Sequence, residues 1–177
     1  MNLNKYERMI QIYGWYKTAR LNVLYYEESL KNWTRAVRIH DVIIAFSGAS
    51  SPLAFWQHSD APIQRQLWFY LTMFTAVSAI LKPVLRWENH LKLFAELETH
   101  YCDLYLDMKS LIEDITAAQD LSTKHNSLFE HHRATFKALE RKEPPPNKKK
   151  ILRLEEIVNR EIDINKRWFP MEQEVIP

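Results

Sequence analysis

The sequence predicts an all-α chain, and three observations carry that expectation. There are only two glycines, Gly14 and Gly48, in 177 residues, too few for a fold built on many tight turns. No stretch alternates apolar and polar residues over a useful strand length. From Phe94 onward, apolar residues recur at steps of three and four, the period of a helix that buries one face.

Residues 1–38 read as an N-terminal helical region, with the helix itself over 4–38. Tyr6, Ile10, Tyr13, Tyr16, Val23, Leu24, Leu30 and Val37 are scattered along it, and Gly14 weakens it slightly. Residues 39–87 hold two apolar segments. The first, 41–56, contains "IIAFSGASSPLAFW", and the second, 67–85, is "LWFYLTMFTAVSAILKPVL". The polar turn "QHSDAPIQRQ" joins them into an antiparallel hairpin. Pro52 would clash with the carbonyl of Gly48, so a kink is expected there.

A long, coiled-coil-like helix is expected over 88–143, where no Gly or Pro intervenes. Its seam runs Phe94, Leu97, Tyr101, Leu104, Met108, Leu111, Ile115 and Ala118, and resumes at Phe129, Phe136 and Leu139. Ser122 and His125 interrupt it as a polar layer, either a bend or a break. The seam must pack on the N-terminal helix or on a second copy of the chain. Residues 144–177 begin with "PPPNKKK", where three prolines end the helix. Asn147 then caps a short helix with Ile151, Leu154, Val158 and Ile162 on one face, and the tail carries an aromatic anchor at Trp168–Phe169.

The two apolar segments lie near the lower length limit of a membrane span, roughly 17 residues. Trp56, Trp68, Tyr70 and Trp87 stand at their ends like interfacial belts. Lys31, Arg35 and Arg38 precede the hairpin and Lys82, Arg86 and Lys92 end it, while the loop between holds only Arg65 against Asp60. By the positive-inside rule both termini are then cytoplasmic. The small residues of "SGASS" allow close helix approach in lipid. The same segments also read as the centre of a soluble bundle.

The composition excludes several functions. A formal net charge of +2, from 24 Lys+Arg against 22 Asp+Glu, gives no argument for nucleic acid. Two glycines cannot build a phosphate-cradling loop. The single cysteine, Cys102, allows no internal disulfide and reads as an inert thiol. The opening "MNLNKYERMI" lacks the apolar run of a secretory signal. Glu130-His131-His132 lacks the spacing that sets two imidazoles on one helix face, and Asp103 with Asp107 reads as a solvated face. No catalytic residue, metal ligand or cofactor is expected, and the chain is not expected to be an enzyme.

Two features suit functions other than catalysis. Ser47 and Ser51 on the first segment, with Thr72, Thr75 and Ser78 on the second, give a hydroxyl face. It would line a water path in an oligomer or serve interhelical packing. Lys148, Lys149, Lys150 and Arg153 form a basic cluster after the prolines. It is the candidate site for an anionic headgroup, a nucleotide or a partner, or else a solvated charge run.

The order of parts resembles a known family: "YKTARLNVLYYEESL", then "IIAFSGASSPLAFW" and "LTMFTAVSAILKPVLRW", a long helix, and "EPPPNKKKILRLEEIVNREIDINKRWFP". This looks like the SLATT proteins, two-transmembrane effectors of bacterial antiphage defence, and is similar to the membrane effector of the Hailong system. The resemblance spans nearly the whole chain but is one of architecture, with no catalytic motif to match. It implies a homo-oligomeric channel, for example a tetramer, in the bacterial inner membrane. A nucleotide or oligonucleotide made by a partner nucleotidyltransferase would gate it, and opening would depolarise the membrane and arrest or kill the cell. The expectation is therefore an all-α, oligomeric protein with a two-helix transmembrane hairpin between long cytoplasmic helices. The alternative is a helical scaffold, membrane-anchored or soluble, without channel activity.

Overall fold

The computed structural model describes residues 5–49, 66, 69–70, 73–74, 76–77, 87–164 and 167–170, with the side chains of 46–49 excepted. Among these residues there are four α-helices and no strand. They are α1 (Lys5–Ala49), α2 (Trp87–Ala118), α3 (Thr123–Glu140) and α4 (Lys148–Glu161). The chain divides into two compact units, one of Met1–Glu28 with Ala95–Pro177, the other of Ser29–Phe94.

The first unit is a helical bundle around the first half of α1. That half buries Met9, Ile12, Tyr13, Tyr16, Ala19, Val23 and Tyr26, which recur at three- and four-residue steps and so form one continuous stripe. Tyr6 and Ile10 lie off this stripe and are exposed. The expected helix continues past residue 38 without a break, so residues 41–49 extend α1.

The seam expected on the long helix is the buried face of α2: Leu97, Tyr101, Leu104, Met108, Leu111 and Ile115 are all in the core. Ala118 is exposed. The seam packs on the chain's own α1. Tyr16 stacks on Tyr105 with ring centroids 5.0 Å apart, and Tyr26 stacks on Tyr101 at 5.7 Å.

The single helix expected over 88–143 is corrected to two. α2 stops at Ala118, and Gln119 takes a left-handed conformation at φ 48°. Leu121 is buried in the turn. Ser122 then caps α3 in a reciprocal box: its Oγ accepts from the His125 backbone N–H at 3.3 Å, and His125 Nδ1 accepts from the Ser122 N–H at 3.2 Å. With Gln119 turned, the seam doubles back on itself. Tyr101 meets Phe136 at 5.4 Å, His132 lies 3.9 Å from Asp107, and Lys142 Nζ donates to Glu96 at 3.1 Å, so α2 and α3 run antiparallel. Phe129, Phe136 and Leu139 are the buried residues of α3.

The prolines after Glu143 carry the chain to Asn147, whose side chain accepts from the Lys150 N–H at 3.3 Å and caps α4. Leu154, Val158 and Ile162 are buried. Lys17 donates to Asn159 at 2.9 Å, Arg20 pairs with Glu161 at 3.0 Å, and Arg153 pairs with Glu28. The tail returns to the start of α1, where Phe169 packs against Tyr6 and Tyr13 at 5.2 and 5.3 Å.

In the second unit, two imidazoles lie on two indoles. His90 stacks on Trp33 at 5.7 Å, His40 meets Trp87 edge-on at 4.7 Å, and the two indoles touch at 6.3 Å. No helix of the described residues is long and apolar enough to cross a membrane. The expected spans 41–56 and 67–85 lie largely outside the described residues.

Gln119→Gly is expected to stabilise the first unit by about 1 kcal/mol, because only glycine adopts the left-handed position without a Cβ penalty. Ser122→Ala should destabilise it by about 1 kcal/mol through loss of the cap. Chemical denaturation of the two variants checks both signs.

Candidate functional site

The basic cluster begins on the first turn of α4, and its four cations do not converge. Lys150 Nζ turns inward, donates to the Tyr25 carbonyl at 2.8 Å and lies 4.4 Å from the Tyr25 ring centroid. Burial lowers its pKa, against the opposing pull of the Glu28 carboxylate. Arg153 is spent on Glu28. Lys150 and Arg153 thus tie α4 to α1, and only Lys148 and Lys149 are exposed on the first turn. That turn carries no acidic residue, so its lysines add to the positive end of the helix dipole.

The hydroxyl face falls elsewhere. Ser47 lies in the last turn of α1, but its side chain is outside the described residues, as are Ser51, Thr72, Thr75 and Ser78.

A polar cluster that the sequence did not single out sits where α3 gives way to the prolines. Glu143 is half-buried and accepts a short hydrogen bond from Tyr101 Oη and one from Asn22 Nδ2 at 3.4 Å. Tyr26 also hydrogen-bonds to it. One carboxylate therefore joins α1, α2 and the linker. Burial raises its pKa, and the two tyrosine hydroxyls, which favour the ionised form, offset part of that rise. Burial first, then Glu143's charge, pushes the Tyr26 hydroxyl well above the ordinary tyrosine range. For Tyr101 burial comes first and the hydrogen bond to Glu143 second. Spacing gives no sign of this cluster, because Asn22 and Tyr26, four apart on α1, meet Tyr101 and Glu143 from distant parts of the chain. The one cue is a glutamate placed directly before three prolines.

The remaining candidates are structural. Glu130 accepts from Arg8, and that bond holds its carboxyl below the usual range. His132 faces Asp107, with its pKa lowered chiefly by burial. Among the described residues no group of three His, Cys, Asp or Glu side chains is placed to hold a metal ion. Cys102 is half-buried.

Glu143 gives a pH test. Its folded pKa is raised above the ordinary 4.5, so its contribution to stability is fully present below that value and is lost as pH rises through the raised one. The stability difference, wild type minus Glu143→Gln, should therefore be greatest in acid and fall as pH rises above 4.5. Thermal melts from about pH 4 to about pH 8 measure it. A difference that does not change with pH would contradict the assignment.

No family model matches the chain, and neither the curated proteins nor the solved structures contain a match to it.

Proposed function

We propose that the chain is a membrane effector whose hairpin segments assemble with further copies into a pore, while the bundle unit receives the controlling signal. The observation that carries this reading is a contrast in exposure. The bundle unit exposes Tyr6, Ile10, Leu106, Leu128, Leu152 and Ile157, but these are scattered over four helices around a buried core. In the second unit Ile39, Val42, Phe69, Tyr70, Met73, Phe74 and Val77 are all exposed, Val42 at 67% and Tyr70 at 69%. Phe69, Met73 and Val77 are spaced by four, and Tyr70 and Phe74 likewise, so they form one face on a helix. An apolar face of this kind needs lipid or protein against it.

The sequence supplies the finer parts of the reading. Aromatic residues at both ends of the segments and cations confined to the flanks suit a two-span topology with both termini cytoplasmic, in a bacterial inner membrane. Ser47, Ser51, Thr72, Thr75 and Ser78 are the pore-lining residues of this reading. The likeness to SLATT effectors supplies the signal, a nucleotide or oligonucleotide from a partner nucleotidyltransferase, and antiphage growth arrest as the outcome. Lys148 and Lys149, with the first-turn N–H groups of α4, are the cations that would meet such an anion.

A second reading is a helical scaffold that uses the exposed apolar face against another protein. The same exposed face, Phe69 with Met73 and Val77, suits it.

Purified chain in liposomes separates the two. A pore releases trapped ions, and Ser47→Leu with Ser51→Leu should cut that release roughly tenfold or more while the oligomer persists. A scaffold releases none. Alkaline carbonate washing of membranes gives the prior check: the pore reading requires the chain to stay in the pellet.

A further inference from the structure

The turn between α2 and α3 is held by hydrogen bonds rather than by residues that turn easily. Gln119 takes the left-handed region at φ 48° although it carries a Cβ. The cap that follows departs from the usual chemistry. The reciprocal partner of an N-cap serine is ordinarily a glutamate or glutamine, whose oxygen accepts at any pH near neutrality. Here it is His125, whose Nδ1 accepts from the Ser122 N–H at 3.2 Å. Only a neutral imidazole can accept, because protonation turns both ring nitrogens into donors. The new Nδ1–H would face the Ser122 N–H, donor against donor. It would also set a positive charge at the positive end of the α3 dipole.

The charges around the turn offer that imidazolium another place. Asp120 accepts from Lys5 Nζ at 2.6 Å. That bond chiefly holds the Asp120 carboxyl below the ordinary range, and the charge of His125 acts in the same direction. The Lys5–Asp120 pair is exposed on both sides, so it is weak and readily exchanged. Arg8, the next cation of α1, is committed to Asn126 and Glu130. Asn126 in turn donates to the Ser122 carbonyl at 3.3 Å. Glu7 on α1 and Lys124 on α3 are exposed to solvent, and the last turn of α2, Ile115 to Ala118, carries no charge. Asp120 is therefore the anion that a charged His125 would meet.

We propose that this turn is a proton-operated latch. Neutral His125 closes the cap and leaves Asp120 to Lys5. Protonated His125, with one proton taken from solvent onto Nδ1, leaves the cap for Asp120. The first turn of α3 then opens and Lys5, at the start of α1, is released. The hold is complete above the imidazole range and is lost as pH falls through it, a sign opposite to that of Glu143. The latch does not rest on the pore reading.

Amide exchange of the full chain, corrected for the intrinsic rate at each pH, reads the latch. Protection of the Ser122 amide should fall at least about fivefold between about pH 7.5 and about pH 5.5. In His125→Gln, which keeps an acceptor at that position, protection should not change with pH, and helical circular dichroism checks that the variant folds. His125→Glu, with the usual glutamate of the box, is the second check and should stay closed throughout. Asp120→Asn should move the fall to lower pH, because the imidazolium loses its acceptor. Constant protection in the wild type overturns the latch. An equal fall in His125→Gln does so too, because the titrating group then lies elsewhere. A fall at the same pH in Asp120→Asn overturns the exchange with Lys5.

Discussion

The bundle unit depends on finding partners for tyrosine hydroxyls. Tyr13, Tyr16, Tyr26 and Tyr101 are buried. Burying a ring of that size stabilises the fold by roughly 2 kcal/mol, but an unpaired buried hydroxyl costs about 1–3 kcal/mol. Each ring is therefore useful only in a register that also satisfies its oxygen. Tyr13 Oη donates to the Trp168 carbonyl and Tyr16 Oη to Tyr105, both at 3.1 Å, while Tyr26 and Tyr101 meet at Glu143. These bonds fix the tail, α2 and the proline linker against α1. The register of the whole unit follows from these four tyrosines and the partners of their hydroxyls.

That constraint explains the use of the charges. Arg8 lies 4.8 Å from the Phe129 ring centroid and reaches Asn126 and Glu130 on α3. Arg20, Lys150 and Arg153 hold α4. Exposed ion pairs contribute little singly. Here they rim a core that the aromatic contacts have already placed.

The seam on α2 was legible because a long run at a helical period has few other meanings, and five of its residues from Leu97 to Leu111 are buried as written. The turn after α2 was legible only as the polar interruption at Ser122 and His125, not as a reversal of the chain. It uses neither Gly nor Pro, and a glutamine in the left-handed region has no sequence signature. The α1 stripe was half legible: Tyr6 and Ile10 drew attention to the wrong face, while Met9, Ile12 and Ala19 carry the burial. The basic cluster was legible as a cluster but not in its roles, because the roles of Lys150 and Arg153 depend on Tyr25 and Glu28, more than a hundred residues away in sequence. The Glu143 site depends on three separate segments meeting, those of Asn22 with Tyr26, of Tyr101 and of Glu143 itself, which no local pattern encodes.

The chain divides into a unit that buries a core of its own and a unit with a grouped, exposed apolar face at Phe69, Tyr70, Met73, Phe74 and Val77. Hydrogen exchange of the full chain, with and without lipid nanodiscs, tests that division most directly. The account predicts that amides of α2, α3, α4 and the first half of α1 are protected to the same degree in both states, and that residues 41–85 gain strong protection only in lipid. Equal, strong protection of residues 41–85 without lipid would contradict it, because the second unit would then have a protein core of its own.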